Sequence, residues 1–256
     1  MLLHRNLQHK ITQIAQQKAF TLAEVLITLG IIGIIAAMTL PALLNKAEKI
    51  ILKNQFKKSY STLSQALTKS EVEYGATPDC YYAIVENSST SSFDYKDSSG
   101  GSSVECSAFH KIFMKNLNVI AKCENNAYPN CIPKYQGVDT MVIENNPDLS
   151  KDEALEKVDG LRGFDQQKIL YQNPAFVLSD GSILISYATW FEIPRIFAID
   201  INGKKGPNKW GYDVFDLWTG KTKKGNLIFV GRNSNALVDK GGINTNQMIK
   251  NMYNLK

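Results

Sequence analysis

The chain has 256 residues, 44% of them hydrophobic and 21% charged, which is too apolar for a disordered chain and suits one domain with a smaller appendage. The formal charge of +5 comes from 29 Lys and Arg against 24 Asp and Glu, but Arg5, Lys10 and Lys18 lie uncompensated in residues 1–19, and without them 26 basic residues face 24 acidic ones, +2. So near neutrality there is no broad basic footprint, which argues against a dedicated nucleic-acid-binding domain. Of three histidines, His4 and His9 share that basic segment and only His110 remains beyond it, which argues against multi-histidine metal sites and a Ser-His-Asp triad.

The chain is polar and basic before Phe20 and almost wholly apolar after it. Residues 25–45 form a run of 21 without a charge, enough for a helix of roughly 30 Å to cross the hydrocarbon core of a membrane. A secretory signal places its cleavage site after the apolar stretch; here the order is reversed. Glu24 sits at the start of that run, where a carboxylate is costly unless paired.

These residues resemble the type IV pilin and type II secretion pseudopilin family. Ala19 stands before the cut, followed by Phe20-Thr21-Leu22-Ala23-Glu24, then Gly30, Ile31-Ile32-Gly33-Ile34, Ala36-Ala37 and Leu40-Pro41. The resemblance implies a leader over 1–19, removed by a prepilin peptidase between Ala19 and Phe20, with methylation of the new Phe20 amine. It implies that Glu24 pairs with the amine of a neighbouring subunit, so that two buried charges satisfy one another only in the filament. It implies a polymerisation helix over 20–45 with Pro41 as its kink. The implied partners are the peptidase, other pilin or pseudopilin subunits, an inner-membrane assembly machinery and membrane lipid before assembly; no nucleic acid is expected. The implied location is the inner membrane with an extracytoplasmic head, then a pilus or pseudopilus.

Over residues 46–75 the helical pattern continues with a change of character: Leu52, Phe56, Tyr60, Leu63, Leu67 and Tyr74 recur at helical spacings with Lys and Ser between them, one apolar stripe. Gly75 and Pro78 end it. An extracytoplasmic head of mixed signals follows over 76–256. Residues 88–103 are Ser/Gly-rich and read as an exposed loop. A short helix is expected over 108–117 and another over 150–158, with Ser150 and Glu153 spaced as a capping box.

The cysteines, Cys80, Cys106, Cys123 and Cys131, fall in one window with no C-x-x-C pair. Their even number and wide spacing point to two disulfides and an oxidising compartment. Four cysteines allow three connectivities; Cys80 with Cys106 and Cys123 with Cys131 is favoured because both loops are local, and the bridges are expected to staple a loop-rich insert, 80–131, with a small core of its own.

The C-terminal half reads as β. Residues 175–178 and 183–186 flank Ser179-Asp180-Gly181, a hairpin signal, and 195–201, 213–217 and 225–230 read as further strands. The expected fold class is α+β: a long transmembrane-plus-amphipathic helix packed on a C-terminal antiparallel sheet. The loop from Asp200 to Asp213 resembles loops in pilin-like heads, some of which bind calcium. Asp200, Asn202, Asp213 and Asp216 supply oxygen ligands for such an ion; the competing reading is a structural loop of Asx-turns with Trp210 packed on the sheet. Neither these carboxylates nor His110 forms a catalytic constellation, and no enzyme activity is expected. The leading functional expectation is a filament subunit; the alternative is a monomeric membrane-tethered adhesin or binding protein.

Overall fold

The computed structural model describes residues 20–87, 92–95, 103–158, 161–187, 194–232 and 237–253. The expected leader, 1–19, with Ala19 of the expected cleavage site, most of the Ser/Gly-rich stretch, and Trp190 and Phe191 lie outside the described residues. The chain forms two compact units, Met1–Lys49 and Ile50–Lys256.

The described part of the first unit is helix. Helix α1, Leu22–Tyr74, starts here, and its described residues up to Lys49 are all exposed, including Leu26, Ile27, Leu29, Ile31, Ile32 and Leu43. This stretch is long and apolar enough to cross a membrane. In lipid such a sequence satisfies its backbone by its own ladder, while its side chains need no polar partner. Pro41 lies inside α1, where it has no N–H to give to the Ala37 carbonyl.

In the second unit α1 becomes one-sided. Leu52, Phe56, Leu63 and Leu67 are buried, at the three-, four- and seven-residue spacings that align side chains on one helical face. Next come β1 (Ile84–Glu86), β2 (Phe93–Tyr95), α2 (Ser103–Asn116) and β3 (Val119–Cys123). A single helical turn at Ala127–Asn130 follows, then the short helices α3 (Val138–Asn145), α4 (Lys151–Lys157) and α5 (Gln166–Tyr171), with a 3-10 turn at Arg162–Phe164 ahead of α5. The chain ends with strands β4 (Ala175–Leu178), β5 (Ile183–Ser186), β6 (Ile196–Asp200), β7 (Val214–Lys221) and β8 (Leu227–Val230), then α6 (Thr245–Tyr253).

The strands form one sheet of order β2-β1-β7-β6-β5-β4-β3, with β8 on β7. The expected antiparallel sheet is correct for β3 to β8, but β1 pairs parallel to β7 through Ile84 opposite Gly220, so the sheet is mixed. Phe93 and Tyr95, expected in an exposed loop, instead form β2 against β1.

Period-two alternation divides the sheet's side chains between two cores. Phe176, Leu184, Phe197, Ile199, Phe215 and Phe229 share one cluster with Leu52, Phe56, Leu63 and Leu67 of α1 and Phe109 and Phe113 of α2. On the other side Ile183, Ile185, Ala198, Val214 and Trp218 cluster with Ile132, Tyr135, Val138, Met141, Phe164 and Ile169. The expectation of a small separate core for the cysteine insert is therefore corrected. Residues 127–158 and 161–170 cover the second face of the sheet, which is why β5, β6 and nearly all of β7 are buried along their whole length.

Candidate functional site

The start of α1 is built from three hydrogen bonds between Thr21 and Glu24. The Glu24 N–H donates to Thr21 Oγ1 at 3.2 Å, while the Thr21 N–H and hydroxyl donate to Glu24 Oε2 at 2.9 and 2.8 Å. The first helical bond runs from the Val25 N–H to the Thr21 carbonyl, which makes Thr21 the N-cap and Glu24 the third helical residue. This is a reciprocal capping box. The Phe20-to-Glu24 motif thus has a local structural job that its reading as an assembly signature missed, although Thr and Glu at that spacing before an apolar run are its usual sequence sign. Phe20 lies just outside the helix and is 84% exposed.

In the second unit Cys80 is bonded to Cys106 and Cys123 to Cys131, with Cα separations of 5.7 and 6.2 Å. The first bridge ties the segment after α1 to α2; the second closes the turn between β3 and the helices on the far face. His110 of α2, one helical turn after Cys106, is half-buried. Tyr81 hydroxyl lies 2.9 Å from its Nδ1, and burial, with Lys122 nearby, pushes its pKa down to about 4.

The Asp200–Asp213 loop brings together three of the four residues expected to hold calcium. Asp200 accepts the Tyr135 hydroxyl at 2.6 Å and the Asn202 N–H at 3.1 Å. Asp213 accepts the N–H groups of Asn208 and Lys209 at 2.8 and 2.7 Å. Burial and the like charge of Asp213 raise Asp200 to about 7, and burial raises Asp213 as well. Asn202 donates to the Gly206 carbonyl, and Gly203 and Gly206 hold positive φ, which turns the chain inside the loop. Asn202 Oδ1 and Asn208 Oδ1 are buried without a hydrogen-bond partner. Asn208, with a left-handed φ of 58°, is the member of this group that its sequence position did not single out.

Asp216 belongs elsewhere and leaves the candidate set. It accepts Trp218 Nε1 at 2.9 Å, the Arg232 N–H at 3.0 Å and the Thr245 hydroxyl at 2.7 Å, pinning the start of α6 to β7. Three donors compensate a fully buried carboxylate, which makes its role structural. Tyr81, Tyr82, Trp210 and Trp218 are buried in the core, and the Trp210 indole donates to the Gln136 carbonyl.

No group of three or more His, Cys, Asp or Glu able to hold a metal occurs among the described residues. A cleft of about 580 Å³ between α1 and α6 is lined by Ser61, Ser64, Thr68 and Tyr253 among others, with no carboxylate, histidine or cysteine among the described residues of its wall. Residues 14–40 match the prokaryotic N-terminal methylation motif, so the segment around Phe20 and Glu24 carries the type IV pilin and pseudopilin signature. No curated protein and no solved structure matches the chain.

Proposed function

We propose that this chain is a structural subunit of a type IV pilus or type II secretion pseudopilus. It is cut between Ala19 and Phe20 by a prepilin peptidase, methylated on Phe20, and polymerised through its N-terminal helix. The observation that carries the reading is the methylation motif over 14–40 leading directly into a helix whose first half is apolar and exposed throughout. An apolar surface of that length requires either lipid or other copies of itself. Before assembly the helix anchors the protein in the inner membrane with its head outside the cytoplasm, in keeping with two disulfides and no free cysteine. Within the filament the Glu24 carboxylate meets a neighbour's amine in apolar surroundings, where neither charge is tolerated alone. The subunit is no enzyme in this reading: the head decides surface chemistry and the helix decides assembly. Replacing Glu24 with Ala is expected to leave the protein in the membrane fraction and remove it from sheared filaments, as read by immunoblot. Wild-type incorporation of Glu24→Ala removes the pairing role.

We further propose that the Asp200–Asp213 loop takes a calcium ion. Support comes from an oxygen-only donor set: two buried Asn carbonyls without partners beside two carboxylates whose burial disfavours their charge. Lys204, one of the lysines in the loop, is already engaged by the Pro129 and Asn130 carbonyls. Asp200, Asn202, Asn208 and Asp213 would hold the ion, which supplies positive charge to the two carboxylates. Millimolar calcium is expected to raise the melting temperature by several degrees over a chelated sample, an order expected for ligand linkage well above Kd, and Asn208→Ala to abolish the rise. An unchanged melting temperature in wild type disposes of the site.

A further inference from the structure

We propose that Thr21 is a positioning residue for processing: its capping box with Glu24 fixes the start of α1 at Leu22 and so keeps Phe20, the residue that follows the scissile bond, outside the helix. The inference rests on the reading that the chain is a peptidase substrate, and it assigns Glu24 a second role, before cleavage, besides its pairing role in the filament.

The geometry is specific. All three bonds converge on one oxygen or one hydroxyl: Thr21 N–H and Oγ1 to Glu24 Oε2, and Glu24 N–H to Thr21 Oγ1. The same arrangement recurs at the start of α4, where Ser150 and Glu153 make the corresponding bonds at 2.8, 2.7 and 3.4 Å. Both boxes therefore follow from the same local chemistry, a Ser or Thr hydroxyl three residues ahead of a carboxylate. At α4 the box starts a surface helix of the head. At α1 it sits one residue from the bond to be cut.

The position matters because a helix withdraws its backbone from a protease. A helix begun one turn earlier engages the carbonyl of residue 19, the atom to be attacked, with the Ala23 N–H. With Thr21 as N-cap the ladder starts instead at the Thr21 carbonyl, and the Phe20 backbone is non-helical. The apolar run that follows is a weak start signal by itself, since Leu22, Ala23 and Val25 propagate a helix in either direction in lipid. Phe20 and Val25 also occupy the two positions of a hydrophobic staple, N′ and N4, which adds a preference for the same entry point. In the cleavage itself water adds across the Ala19–Phe20 amide, leaving a carboxylate on Ala19 and the amine on Phe20 that is then methylated.

The two roles of Glu24 are separable, because a capping box accepts Gln at the third helical position whereas pairing with an amine needs the charge. The full-length precursor in detergent is incubated with purified prepilin peptidase, and the cleavage rate and new N-terminus are read for wild type and three variants. Thr21→Val, which keeps the shape and loses the hydroxyl, is expected to be cut about fivefold more slowly, the ratio set by loss of one N-cap. Thr21→Ser is expected to restore the wild-type rate, and Glu24→Gln to be cut at the wild-type rate while failing to enter filaments. Wild-type cleavage of Thr21→Val overturns the proposal, as does failure of Thr21→Ser to rescue, or slowing by Glu24→Gln equal to that of Thr21→Val. A wild-type chain that does not yield Phe20 as its new N-terminus removes the processing reading, and this proposal with it; normal wild-type cleavage with an unaffected Thr21→Val removes the proposal alone.

Discussion

His110 shows how one residue is set by its surroundings. Tyr81 approaches its Nδ1 as a hydroxyl donor, because burial pushes the Tyr81 phenol far above its ordinary range and keeps it protonated. The ring proton then sits on Nε2, and the neutral imidazole is held against Phe113 and Tyr81 with Lys122 nearby. The folded-state pKa of about 4 lies below the ordinary 6.5. Between those values the unfolded chain binds a proton and the folded one does not, so this contribution is complete above about pH 6.5 and is lost as the pH falls toward 4. The loss amounts to about 2–3 kcal/mol across that window. In thermal melts from pH 7 to 4, His110→Gln is expected to show a smaller fall in melting temperature than wild type; parallel pH profiles for the two proteins refute the assignment.

At the scale of elements, the disulfides differ in what they constrain. Cys80–Cys106 spans 26 residues and joins the end of the α1 segment to α2, whereas Cys123–Cys131 spans 8 and closes one turn. Loop-closure entropy gives about 3.5 kcal/mol for the first and about 2.5 for the second. The double variant Cys80→Ser/Cys106→Ser is therefore expected to lose more stability in urea than Cys123→Ser/Cys131→Ser, and the reverse order contradicts closure entropy as the dominant cause. Elements with strong local signals were legible from the residues: α1 from its apolar run and stripe, the β4–β5 hairpin from Ser179-Asp180-Gly181, and α4 from Ser150 and Glu153; β6, β7, β8 and the C-terminal part of α2 also lie where strands and a short helix were expected. The others were not, for a shared reason. Helices α3 and α5 have eight and six residues, too few turns to show a period, and α6 carries its own start signal only through Asn244 and Gln247, which cap each other. β2 is three residues between polar neighbours and exists because β1 offers it an edge.

For the molecule as a whole, the head has the two-sided architecture of a sheet covered on both faces, and this decides the fate of residues that looked functional. Trp210 packs on Phe164 and donates to Gln136; Tyr135 crosses from the far-face segment to Asp200 of β6; Asp216 anchors α6. Each joins residues 29 to 74 positions apart in the chain, so no local pattern announces it. The net charge also acquires its meaning at this scale: in the proposed mature subunit the three basic residues of the leader are gone, and the remaining +2 over residues 20–256 gives the subunit no global pull toward an acidic partner. By itself the sequence determined what depends on neighbours along the chain: the methylation motif, the apolar span, the helical stripe of α1 and the turn chemistry of the β4–β5 hairpin. Only the tertiary structure decided which carboxylates share a site, which aromatics are core, and that the apolar residues of the 80–131 insert join the two cores of the sheet rather than a core of their own. Those outcomes rest on burial and on hydrogen bonds between distant segments, and burial is a property of the packed chain that no single segment carries.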